Sequence, residues 1–85
     1  LREVEDALTA VRRNRERAVA LARAEEAARR AFEVARLQFE AGSIDYLPLL
    51  DTQRSLLQTQ DALVQARQDE LTASIALYHS LGGGW

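Results

Sequence analysis

One interruption organises this chain. Residues 42–48 read Gly42-Ser43-Ile44-Asp45-Tyr46-Leu47-Pro48 and hold the only proline, together with the only glycine that precedes residue 82. On either side run long stretches of Ala, Leu, Glu, Arg and Gln, the strongest helix formers, with no further breaker until Gly82-Gly83-Gly84. A β-fold would need turn residues every ten positions or so, and they are absent. The pattern predicts an all-α chain with one domain: a helix over 1–41, a tip at 42–46, a second helix over 46–81 and an irregular tail at 82–85. Gly42 suits the left-handed position that closes a helix. Asp45 is placed to cap the next one, its carboxylate accepting from the orphan amides. With Asp45 as cap, Pro48 falls at the third helical position, where its missing N–H has no intrahelical partner to lose. Ser43 is the alternative cap, but it would leave Pro48 beyond the first turn. A connection of about three to five residues makes the helices antiparallel neighbours. At about 1.5 Å per residue, each arm should reach roughly 60 Å.

The apolar spacing predicts a supercoiled contact. In the first helix Leu1, Val4, Leu8, Val11, Ala18, Leu21, Ala24, Ala28, Ala31, Ala35 and Phe39 recur mostly at steps of three or four, with one longer step across Asn14 and Arg15. In the second, Leu50, Leu57, Val64, Leu71 and Tyr78 recur at a strict interval of seven. Leu49, Leu56, Leu63 and Leu77 form a parallel row interrupted by Glu70, and Ala62, Ala66, Ala73 and Ala76 add small surfaces. A two-stranded coil needs one narrow stripe, and this helix offers a wide one. It therefore calls for neighbours on more than one side, from a longer parent chain, from sister subunits or from copies of itself as a helical bundle. Facing away from both rows, Asp51, Gln58, Gln65 and Thr72 make a polar, nearly uncharged strip. Such a strip suits the wall of a wet channel, and equally an ordinary solvated face.

Chemistry finds little support. The net charge is −2, from 11 basic and 13 acidic residues, so nothing drives the chain toward nucleic acid or an anionic membrane. With no cysteine, disulfides and thiolate metal sites are excluded. No apolar run approaches the roughly 18 residues of a membrane helix. Leu1 falls within a helical pattern, with neither Met nor cap before it, which suggests a piece excised from a longer protein. His79 stands alone near a helix end, where a favourable dipole contact is expected rather than a ligand or base. The pairs Glu25-Glu26 and Asp69-Glu70 are adjacent, so each splays to different sides of its helix and makes no two-carboxylate site. Arg12-Arg13-Asn14-Arg15-Glu16-Arg17 winds around the helix with no aromatic side chain for base stacking, and reads as charged outer surface rather than a nucleic-acid site. The reading is therefore not an enzyme, with no cofactor and no metal.

The stretch Phe39-Glu40-Ala41-Gly42-Ser43-Ile44-Asp45-Tyr46-Leu47-Pro48-Leu49-Leu50-Asp51-Thr52-Gln53-Arg54-Ser55-Leu56-Leu57 closely resembles the tip of the second periplasmic helical hairpin in TolC-like outer-membrane efflux proteins. The nearest group is the OprM or NodT-type lipoproteins that serve RND pumps. Their pattern runs aromatic, two residues of any kind, Gly, then a Tyr-Leu pair, then Leu-Leu-Asp-Ala-Gln-Arg-Ser-Leu. The ending Leu77-Tyr78-His79-Ser80-Leu81-Gly82-Gly83-Gly84-Trp85 resembles their helix end, where Leu-Tyr-x-x-Leu-Gly-Gly-Gly-Trp recurs. Two motifs at matching separation cover essentially the whole chain.

The resemblance implies a homotrimer in the outer membrane, whose helices form a periplasmic α-barrel tunnel from which this coiled-coil hairpin would be cut. It implies a gated conduit for small molecules, driven by an inner-membrane pump through a periplasmic adaptor. The position matching Leu47 would supply an apolar ring at the constriction, and that matching Asp51 an acidic ring one turn away. Gly42, Ser43, Ile44, Asp45 and Tyr46 would form the tip that docks the adaptor. Relatives place Arg-Tyr or Tyr at the latch positions, where this chain has Gln38 and Phe39, without the charge and the hydroxyl. Such a latch is weakened here or made by other residues. Thr52 replaces the usual Ala, a mild change. The rival reading is a stand-alone coiled-coil self-association module without a transport role. The polar strip separates the two, since a duct turns it to a lumen and a bundle leaves it outside.

Overall fold

A computed structural model of the chain describes residues 2–82. Two helices make up nearly all of it, α1 over Arg2–Glu40 and α2 over Tyr46–Ser80. They lie antiparallel in one extended hairpin of 62 × 17 × 13 Å, all-helical among the described residues. Each helix ends one residue earlier than the spacing suggested, at Glu40 rather than Ala41 and at Ser80 rather than Leu81. Of the expected tail, Gly83, Gly84 and Trp85 lie outside the described residues, as does Leu1.

The turn is built from backbone more than from side chains. Gly42 takes φ 78°, and the N–H groups of Gly42 and Ser43 bond back to the carbonyls of Phe39 and Gln38 at 3.0 and 2.8 Å. That pair of bonds is the Schellman closure, and it satisfies two of the carbonyls a helix end leaves free. Asp45 occupies the N-cap of α2 with extended backbone (φ −77°, ψ 171°), but its carboxylate makes no capping hydrogen bond. The expectation of a side-chain cap is corrected here. A capping oxygen takes the N–H of the second or third helical residue; Pro48, the third, has none, which leaves the Leu47 N–H as the one target. The far end of α2 stops in a related way, with Gly82 at φ 82° and its N–H bonded to the His79 carbonyl at 3.0 Å.

The contact between the helices is a heptad seam of small residues. On α1, Val4, Ala7, Val11, Asn14, Ala18, Leu21, Glu25, Ala28, Phe32 and Ala35 are buried or half-buried, at alternating steps of three and four. On α2 the matching row is Leu49, Thr52, Leu56, Thr59, Leu63, Ala66, Glu70, Ala73, Leu77 and Ser80. Asn14 fills what looked like a gap in the α1 pattern, its amide donating to the Ala10 carbonyl at 2.8 Å. The buried apolar residues among those described are Ala18, Ala35, Leu63, Ala66 and Ala73, four of the five being alanine. Alanine lets the helix axes approach closely, toward the short end of the about 8–10 Å found between packed helices.

A single register holds along the length. The Phe39 and Tyr46 rings meet across the turn, Gln60 donates to Glu25 at 3.3 Å, and Arg15 pairs with Glu70 at 3.2 Å. In each case the two residue numbers sum to 85; Arg17 with Asp69, at 2.9 Å, is one higher. Two arginines of the Arg12–Arg17 run therefore tie the helices together rather than only coating the outside. These outer pairs are largely solvent-exposed, so they steer the offset more than they add to stability.

The strict heptad row of α2 is not the hairpin's own seam. Leu57, Val64, Leu71 and Tyr78 are 55%, 56%, 63% and 60% exposed. Leu8, Val19, Val34 and Leu37 on α1 are exposed as well. The chain thus leaves more bulky apolar side chains outside than it buries, because an alanine seam has no room for them.

Two outcomes follow for stability, read by thermal unfolding at fixed protein concentration. Gly42→Ala should cost about 1–2 kcal/mol, the price of a left-handed residue with a Cβ. Open space surrounds that Cβ, so no clash adds to it. Ala66→Leu should destabilise by about 1–3 kcal/mol through overpacking, since Ala66 is 0% exposed. A neutral or stabilising effect at Ala66 would mean that the helices are not held at close range.

Candidate functional site

The residues singled out at the tip are brought together by the turn. The Phe39 and Tyr46 rings lie 5.5 Å apart at an interplanar angle of 51°, a tilted contact that staples α1 to the start of α2. Ile44 is half-buried between them in sequence, while Gly42, Ser43 and Asp45 are exposed. Gln38 is exposed and gives its carbonyl to the turn closure. Phe39, the other latch position, is committed to Tyr46.

Leu47 is 71% exposed, more than any other large apolar residue described. A staple role for Leu47 against α1 therefore does not apply, because Tyr46 fills it. Asp51 lies four residues on and shares that helix face. It is exposed and makes no ion pair among the described residues. Beyond Asp51 the strip continues through Gln58, Gln65 and Thr72, all exposed, with Gln65 donating to Asp69 at 3.0 Å.

Consecutive helical residues point about 100° apart. The rows that begin at Leu49, Leu50 and Asp51 therefore occupy three different sectors of α2. The first packs on α1, the second is apolar and bare from Leu57 onward, and the third is polar and wet. This three-sided helix is the main geometric feature of the molecule. Thr52, on the seam, turns its hydroxyl to the Leu49 carbonyl at 2.7 Å and needs no partner on α1.

Away from the tip, several charged groups are engaged in structure. Asp69 is held below its ordinary carboxyl value by the hydrogen bond from Arg17 and then by that from Gln65. His79 sits in the last turn of α2, where a cation would favour the helix dipole. No group of three or more His, Cys, Asp or Glu among the described residues could hold a metal ion. No helix among the described residues is long and apolar enough to cross a membrane.

One residue escaped the sequence reading. Glu25 is buried, 6% exposed, although its neighbour Glu26 is well exposed. The three-four spacing Ala18, Leu21, Glu25, Ala28 would have found it, had the apolar pattern been allowed a charged member.

The family model for outer membrane efflux proteins matches residues 1–83 of this chain. Neither a search of curated proteins nor one of solved structures returns a match. The match runs through both helices and the turn, over the hairpin whose tip carries the resemblance. The chain belongs to the outer membrane efflux protein family.

Proposed function

We propose that this hairpin is a wall and gate element of the periplasmic tunnel in an outer-membrane efflux channel. Membership of the efflux family supports the transport role, and the division of the hairpin surface supports the placement. In this reading the parent protein is a homotrimeric lipoprotein, and an inner-membrane RND pump drives small molecules through it with a periplasmic adaptor. The row of Leu50, Leu57, Val64, Leu71 and Tyr78 packs on a neighbouring hairpin, and the strip of Asp51, Gln58, Gln65 and Thr72 faces the lumen. The turn from Gly42 to Tyr46 is the adaptor's docking end. Gln38 and Phe39 leave any latch to other residues.

The observation that carries the reading is Leu47. Leu47, 71% exposed next to the exposed Tyr46, offers an apolar surface at the turn that a partner can cover. Leucines converging on a three-fold axis would cover one another and dewet the pore. A ring of Asp51 carboxylates one turn away would disfavour anions. No covalent step is involved, and the work is done by shape and charge.

The first test is conductance of the full-length protein in planar bilayers. Leu47→Ser should leak in the closed state, and Asp51→Asn should lose cation preference and divalent-cation block. If both variants conduct and select like the parent, the two residues are structural and the constriction lies elsewhere. The second test concerns the bare apolar row. The hairpin alone should sediment as a dimer or larger bundle at millimolar concentration. A monomer there would count against the need for partners on which this reading and the self-association reading both depend.

A further inference from the structure

Glu25 takes no part in the tip, and the transport reading makes no use of it. It is the one charged residue buried among those described. It stands near the midpoint of the seam, between Leu21 and Ala28, where heptad packing favours an apolar side chain. A single oxygen, Oε2, accepts from Arg29 Nη2 on its own helix at 2.5 Å and from Gln60 Nε2 on α2 at 3.3 Å. The charged groups that face it are Arg29 from α1 and Arg67 from α2, both cationic. Glu26, the adjacent carboxylate, points to solvent with Arg30. No other contact in the seam joins the two helices through a buried charge.

We propose that Glu25 is an acid-released clasp: as a carboxylate it holds α1 to α2 at mid-length, and once protonated it lets the helices part there while the tip stays closed. The chemistry is proton uptake from solvent onto one carboxylate oxygen, with no bond made or broken elsewhere. A charge-assisted hydrogen bond is roughly twice as strong as a neutral one, so protonation weakens the bonds from Arg29 and Gln60. It also ends the attraction to Arg29 and Arg67. The Arg29 side chain is already 60% exposed and can turn to water. The turn closure has no such dependence, since it rests on backbone hydrogen bonds and an aromatic pair.

The sign of the effect is set by the bonds. Those from Arg29 and then Gln60 hold the Glu25 carboxyl below its ordinary 4.5, with burial opposing them. A carboxyl depressed in the folded state stabilises fully above its ordinary value, and loses that contribution as pH falls through the folded value. Release therefore belongs below pH 4.5. The more exposed Arg17–Asp69 pair, about two turns from Glu25, shares the direction, so the test must isolate Glu25 itself.

Spin labels at Ala24→Cys with Asp61→Cys report the midpoint, and at Gln38→Cys with Leu47→Cys the tip. Both pairs are exposed positions in the same register. On acidification the midpoint distance should widen while the tip distance holds, and Glu25→Gln should abolish that transition. In the chain with Glu25 retained, the side-chain carboxyl carbon, followed by NMR, should titrate below 4.5 with the same midpoint as the widening. The proposal is overturned if Glu25→Gln follows the same profile, or if tip and midpoint part together. A carboxyl midpoint at or above 4.5 would overturn it too, and that result needs no variant to fold.

Discussion

The distance between the two helices governs the rest of the molecule. Ala18, Ala35, Ala66 and Ala73 supply most of the buried apolar seam, and such small side chains hold the helix axes close. Close approach gives many backbone-near contacts but little buried area per residue. At about 25 cal/mol per Å² of apolar surface, an alanine contributes far less than a leucine. The bulky residues are displaced to the outside as a consequence. Leu57, Val64, Leu71 and Tyr78 keep strict heptad spacing while more than half exposed. A hairpin built this way completes one interface and leaves a second apolar face bare.

Closure of the tip is independent of the seam and complements it. Gly42 in the left-handed region and the two backbone bonds that follow it turn the chain without charged groups. The aromatic contact of Phe39 with Tyr46 then sets where α2 begins. Because Tyr46 takes the contact with α1, Leu47 is released outward, and Asp51 follows on the same face. At the start of α2 the Asp45 carboxylate makes no capping hydrogen bond. Rigid backbone under exposed apolar and acidic side chains is a suitable base for a gate.

Much of the fold was legible because long helices advertise themselves. One Gly–Pro interruption in a chain of strong helix formers admits few arrangements, and the helix ends came within a residue. Which apolar row forms the seam was less legible. The spacing offered two rows, the strict repeat from Leu50 to Tyr78 and the interrupted one through Leu56, Leu63 and Glu70, without choosing between them, and the interrupted row packs on α1. The reason is that a seam tolerates polar members where they find partners: Glu70 pairs with Arg15, and Glu25 with Arg29 and Gln60. Apolar periodicity alone discards such residues. The tip was readable through its resemblance to a known motif rather than through periodicity, which cannot say what a face will meet. The side-chain cap expected from Asp45 does not form, and the missing N–H of Pro48 had already removed one of its two targets.

The central claim is that α2 has three sides: one on α1, one on a neighbouring hairpin and one in water. Cysteine-accessibility scanning of the full-length protein with a membrane-impermeant thiol reagent tests it directly, since this segment contains no cysteine of its own. Gln58→Cys, Gln65→Cys and Thr72→Cys should react rapidly, while Leu57→Cys, Val64→Cys and Leu71→Cys should be protected, giving a reactivity period of seven. Rapid labelling of the Leu57 row together with protection of the Gln58 row would contradict the account, because the polar strip would then be the buried side and the apolar row would have no neighbour.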